Sequence, residues 1–145
     1  MMIRSPGFLL CYRQKGVMPM GVFRSFNPNP RTAKVGDCAV RAIAKALDID
    51  WYQAYVMLAN EGLAQCDMPS ANNVWGAVLR QNGFHRASIP AECPDCYTVG
   101  DFIREYPNGI YVVALKNHVV TVIDGVLYDT WNSIDENPIY FWRRE

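Results

Sequence analysis

No stretch of this 145-residue chain is apolar for long enough to cross a bilayer. The longest apolar run near the N-terminus, Gly7 to Cys11, is too short for the core of a secretory signal, so a soluble, cytoplasmic protein with no membrane partner is expected. Charge of one sign is equally lacking: 14 basic and 14 acidic side chains cancel, which removes the electrostatic basis for nucleic-acid binding. There is no disulfide framework to be read either, because five cysteines form an odd set without regular spacing, a usage that fits a reducing compartment. What is present is a hydrophobic half, with charged residues at only 19%, which excludes a disordered chain. At this length a single domain with a real core follows.

Residues 1–20 read as a possible N-terminal extension, holding at most a short strand at Phe8 to Tyr12, and residues 21–145 as the folded domain. Val22 to Phe26 suits a strand, and Asn27-Pro28-Asn29-Pro30 must be extended, since each proline biases its predecessor away from helix. Val40, Ile43 and Leu47 recur at helical spacing behind Asp37, an N-cap candidate. A second helix, capped by Asp48 or Asp50, is expected to turn Trp51, Tyr55, Leu58 and Ala59 inward and to stop at Gly62. A third runs from Ser70 to Asn82-Gly83 with Val74, Val78 and Leu79 inward, and a short strand covers Phe84 to Ile89. Thr98 and Asp101 form a capping box for a fourth helix through Tyr106. Strands at Ile110 to Leu115, His118 to Ile123, Val126 to Trp131 and Ile139 to Trp142 complete an α+β layout, with helices first and an antiparallel β-meander after them.

Two places in this layout carry chemistry. Cys38 falls in the first turn of a helix, where unpaired N–H groups and the helix dipole favour thiolate over thiol. Asp124-Gly125, between two β-branched runs, signals a two-residue type I′ hairpin. That turn pairs residues whose numbers sum to 249, so His118 and Asp129 become diagonal neighbours on one face. A carboxylate on one nitrogen of an imidazole leaves the other free to exchange a proton with a thiol. Asn132 is the second candidate for orienting His118, if a bulge turns it to the same face. Each of these residues alone has an ordinary structural explanation; their combination is what points to catalysis.

Cys93-x-x-Cys96 has half the spacing of a zinc site, and Cys66 with His85 would have to complete it. The irregular spacing argues for structural cysteines in a loop instead, and no metal or other cofactor is expected.

The run Gly36-Asp37-Cys38 before an amphipathic helix, followed far downstream by His118-Val119-Val120 and Tyr128-Asp129, resembles the papain-like cysteine peptidase superfamily. The likeness is to its small bacterial and bacteriophage members related to the bacteriocin-processing branch. Cys38-Ala39-Val40-Arg41-Ala42 is also similar to the cysteine motif of the ovarian-tumour deubiquitinases, another branch of that fold. The resemblance implies a papain-like fold and a cysteine peptidase, isopeptidase or amidase acting on a protein or peptide. It casts Cys38 as nucleophile, His118 as proton shuttle and Asp129 as orienting group. Two positions depart from the pattern: Thr32 stands where papain-like enzymes place an oxyanion-hole glutamine, and Val35 where the deubiquitinases carry aspartate. The alternative is a papain-fold binding protein of weak or no activity, such as a phage effector that blocks a host factor.

Overall fold

A computed structural model describes residues 22–144, which form four α-helices and a six-stranded sheet. The possible extension at residues 1–20, with its short strand and Cys11, lies outside the described residues.

Strand β1 (Phe23–Ser25) leads through the proline loop into helix α1 (Cys38–Leu47). Helix α1 buries Ala39, Val40, Ala42, Ile43, Ala44 and Ala46, and also Arg41. Asp37 precedes the helix as expected but makes no side-chain capping bond; its carboxylate is taken instead by Arg41 and Trp51. Helix α2 (Trp51–Gln65) is capped by Asp50, whose carboxylate and the Gln53 side chain form a reciprocal capping box.

Gly62 does not stop this helix. It is buried within α2, and a Cβ there would stand 2.7 Å from the backbone oxygen of Asp67. The glycine lets the following loop fold back against the helix; Cys66, in the left-handed conformation, ends it. Gly62→Ala, which in an exposed helix adds up to about 1 kcal/mol, is therefore expected to destabilise by about 1–3 kcal/mol, read from urea unfolding midpoints. The buried stripe also differs from the expected one. Ala54, Leu58 and Gly62 face inward, while Tyr55 is about half exposed and Trp51 stacks on it at 5.1 Å.

Helix α3 (Asn72–Gln81) follows and buries Val74, Val78 and Leu79 as expected, together with Trp75. Strand β2 (Phe84–Ser88) and a short 3₁₀ turn at Pro94–Cys96 lead to helix α4 (Val99–Glu105), whose Thr98/Asp101 capping box forms as read. Strands β3 (Ile110–Leu115), β4 (His118–Ile123), β5 (Val126–Asp129) and β6 (Tyr140–Arg144) complete the chain.

The sheet is wider than a simple meander and is not wholly antiparallel. Its order is β1-β5-β4-β3-β6-β2, with β1 parallel to β5 and every other pair antiparallel. Asp124 and Gly125 both take positive φ, 48° and 80°, as a type I′ turn requires. Ile123 then pairs with Val126, Val122 with Leu127 and Thr121 with Tyr128, the expected register.

Alternation along β4 divides the interior in two. Val119 joins Val112, Ala114 and Trp142 in a core under α1, α2 and α3, and the Thr121 hydroxyl donates to the Ala42 carbonyl of α1. Val120, Val122 and Leu127 face the other way, into a second core with Val99, Phe102 and Ile103 of α4. The sheet thus lies between three helices on one face and α4 on the other. Among the described residues, no helix is long and apolar enough to cross a membrane.

Candidate active site

Cys38 is the first residue of α1, His118 the first of β4 and Asp129 the last of β5. Each of the three side chains is therefore carried on the end of an element. His118 Nε2 lies 2.7 Å from Asp129 Oδ2, the contact the hairpin register predicts. The other nitrogen, Nδ1, is not engaged by Asp129, and the Cys38 thiol lies near enough to the imidazole for each group to shift the other's ionisation.

Asp129 is held on both oxygens. Oδ2 also accepts from the Ser133 hydroxyl at 2.7 Å, while Oδ1 accepts from the Thr130 backbone N–H at 2.7 Å and from Arg41 Nη2 at 3.4 Å. A carboxylate with this many donors cannot rotate away from the imidazole without breaking several bonds. Trp131 stacks on His118 with 5.4 Å between ring centroids, covering one face of the ring. Asn132, the alternative orienting residue, accepts instead from the Ile134 backbone N–H and makes no bond to His118.

The electrostatics follow from these contacts. Burial opposes ionisation of Cys38, but the interaction with His118 and its positive charge, the Val119 backbone N–H and the charge of Arg41 together bring its pKa below the ordinary value. Burial likewise disfavours the imidazolium; Asp129 and Cys38 outweigh it and push His118 up to about 9. Asp129, despite its burial, is held below the usual carboxylate value by His118 and Ser133. Both shifts favour a thiolate beside an imidazolium, and the two groups titrate as one coupled system.

Beneath the three residues lies a buried network that the sequence reading missed. Arg41 is only 7% exposed and pairs with Asp37, just before its own helix, and with Asp129 on β5. Asp37 in turn accepts from Trp51 Nε1 at 2.9 Å. The i,i+4 spacing of Asp37 and Arg41 was a visible signal. Ser133 left no comparable trace, because its role depends on how the loop after β5 returns.

Thr32, six residues before Cys38, turns its hydroxyl to the Arg31 carbonyl at 2.7 Å. The cysteine pair considered for zinc is joined as a Cys93–Cys96 disulfide, a pairing the sequence reading did not make. Cys66 is an exposed thiol at the end of α2, and His85 is exposed on β2 at the sheet's far edge. Among the described residues no group of three or more His, Cys, Asp or Glu side chains is placed to hold a metal ion.

Comparison with family models, with curated proteins and with solved structures finds no match for this chain.

Proposed function

We propose that this protein is a cysteine hydrolase of papain-like fold, cleaving a peptide, isopeptide or glutamine amide. The observation that carries the reading is the His118 imidazole, fixed by Asp129 at 2.7 Å on one nitrogen and near enough to the half-buried Cys38 thiol for each to shift the other's ionisation. The helix-borne cysteine and strand-borne histidine are what support the papain-like assignment; for the cytoplasmic setting, the unpaired Cys38 and Cys66 thiols speak in favour and the Cys93–Cys96 disulfide against.

In this mechanism the Cys38 thiolate attacks the substrate carbonyl carbon, forming a C–S bond and placing negative charge on the carbonyl oxygen. The backbone N–H of Cys38, in the unsatisfied first turn of α1, is a donor for that oxyanion. His118 gives its Nδ1 proton to the leaving amine as the C–N bond breaks, leaving a thioester. Water, deprotonated by the now neutral imidazole, attacks the thioester; the carboxylate departs and the thiolate–imidazolium pair is restored. Asp129 keeps the ring in place through both halves.

Turnover of a protein or peptide-amide library tests the reading, with products identified by mass spectrometry. Cleavage or deamidation is expected from the wild-type protein and complete loss from Cys38→Ala. One observation favours the competing reading, a binding protein such as a phage effector against a host factor: the Thr32 hydroxyl is committed to a local carbonyl and offers no second oxyanion donor. On that reading Cys38→Ala keeps the full biological effect.

A further inference from the structure

Helix α2 has two apolar faces, and the core uses only one of them. Ala54, Leu58 and Gly62 are buried. Helical spacing gathers Tyr52, Tyr55, Val56, Ala59 and Leu63 into a second stripe, about 100° wide, on another side of the helix. This stripe meets solvent. Six of the eight large apolar side chains exposed among the described residues lie here: Tyr52, Tyr55, Val56 and Leu63 on α2, and Val35 and Met68 in the loops beside it. Leu63 is 78% exposed.

The six form one surface. Val35 and Tyr55 border a cavity of about 300 Å³, Leu63 and Met68 border another of about 590 Å³, and Pro69 lines both. A contiguous apolar face of this kind on a soluble domain marks a site of association. We propose that the face pairs with a second copy of this chain about a two-fold axis, the α2 helices antiparallel and crossing at Ala59.

Four observations point to a second copy. The first is charge. In its 15 residues α2 carries one charged side chain, Glu61, which lies off the stripe and accepts from Gln65 and Gln81. A two-fold axis sets like against like, and here it brings no two charges of one sign together on the helices. Asp67, which also borders the larger cavity, already accepts from Asn73 and from the Met68 N–H. The second is area: covering the six side chains on both copies removes on the order of 1,000 Å² of surface or more, enough for a stable pairing.

The third is shape. Ala59 is the small residue of the stripe, so two helices approach closely there, and Tyr55 of one copy then faces Leu63 of the other, each four residues from the crossing. The cavities beside the stripe provide hollows for the projecting side chains of the opposite copy. The fourth is order. Trp51 is held by its bond to Asp37, and Tyr52 and Tyr55 pack on it with ring centroids 5.8 and 5.1 Å away, so little freedom is lost on pairing.

Sedimentation velocity of the full chain from about 1 to 100 μM tests the proposal, the range in which an interface of this size is expected to dissociate. The mass is expected to rise with concentration towards twice the 16.5 kDa of the chain. Tyr55→Glu and Leu63→Lys, both at exposed positions, are each expected to weaken self-association at least about tenfold, because each puts an unpaired charge into the apolar face. Circular dichroism checks that both variants are folded. Mixed in equal amounts, the two are expected to pair with each other better than either does with itself, since the antiparallel register sets the new carboxylate against the new ammonium. A wild-type chain that stays at 16.5 kDa throughout overturns the proposal and gives the face to a different partner. A dimer that Leu63→Lys leaves intact, or folded variants that fail to pair when mixed, also overturns it. The readout is mass rather than turnover, so this result and the fate of the hydrolase reading are independent.

Discussion

Replacing His118 with alanine is expected to slow alkylation of Cys38 by iodoacetamide at pH 6.5, by as much as about a hundredfold. In the wild-type protein the imidazolium holds the Cys38 pKa below its ordinary value, so more of the thiol is ionised at pH 6.5 than in an ordinary cysteine. Without His118 the largest remaining influence is burial, which raises the thiol pKa, and even an ordinary thiol of pKa about 8.5 is only about 1% ionised at pH 6.5. The sign is fixed by Cys38 being an acid whose folded value is depressed: its reactive form is present above that value and lost as pH falls through it. The acid limb of the rate against pH is therefore expected to lie lower in the wild type than in His118→Ala. His118 sets the opposite limb. Its value of about 9 means that hydrolysis, which needs the imidazolium as proton donor, declines as pH rises through 9, while alkylation, which needs only the thiolate, does not. Equal alkylation rates in the two proteins across this range contradict the ion pair.

Arg41→Met is expected to be the most destabilising substitution at the site. Arginine at this position is nearly inaccessible and serves two carboxylates, so its loss leaves Asp37 buried without a cation and Asp129 with His118 alone. Breaking a buried ion pair from one side costs about 3–5 kcal/mol, a large part of the 5–15 kcal/mol typical of a whole domain. For a chain of this size that corresponds to a fall in Tm on the order of 10 °C or more, measured by circular dichroism at pH 7. The penalty is expected to shrink in acid. Asp129 has a depressed pKa in the folded protein, so its charged form contributes stability above the ordinary carboxylate value, and that contribution is lost as pH falls through the folded one. Once the carboxylate is protonated there is less for Arg41 to compensate. A variant melting within about a degree of the wild type at pH 7 shows that the network carries no such weight.

The parts of this site that were legible in the sequence are those governed by short-range rules. Asp124-Gly125 dictates a turn type, the turn dictates a register, and alternation then places His118 and Asp129 together without any knowledge of the rest of the fold. The Thr98/Asp101 box and the apolar spacing of α1 were readable for the same reason. Misreadings came where one residue type serves two purposes. Asp37 has the identity and place of an N-cap, yet its carboxylate goes to Arg41 and to Trp51, fourteen residues on. Gly62 has the identity of a helix stop, yet it is selected by the close approach of the Asp67 backbone. Aromatic residues on α2 were assigned inward on hydrophobicity, but alanine, leucine and glycine take the buried stripe and leave Tyr55 half exposed. The parallel pairing of β1 with β5 and the edge position of β2 depend on contacts between distant segments, for which no local pattern exists.

The central claim is that Cys38 is activated by its surroundings rather than merely accessible. The two unpaired thiols in the described residues separate these possibilities, because Cys66 is exposed and Cys38 is half-buried. Limiting iodoacetamide at pH 6.5, with site occupancy read by peptide mass spectrometry, is expected to modify Cys38 at least about tenfold faster than Cys66. Labelling that follows exposure, with Cys66 equal to or ahead of Cys38, would contradict the account.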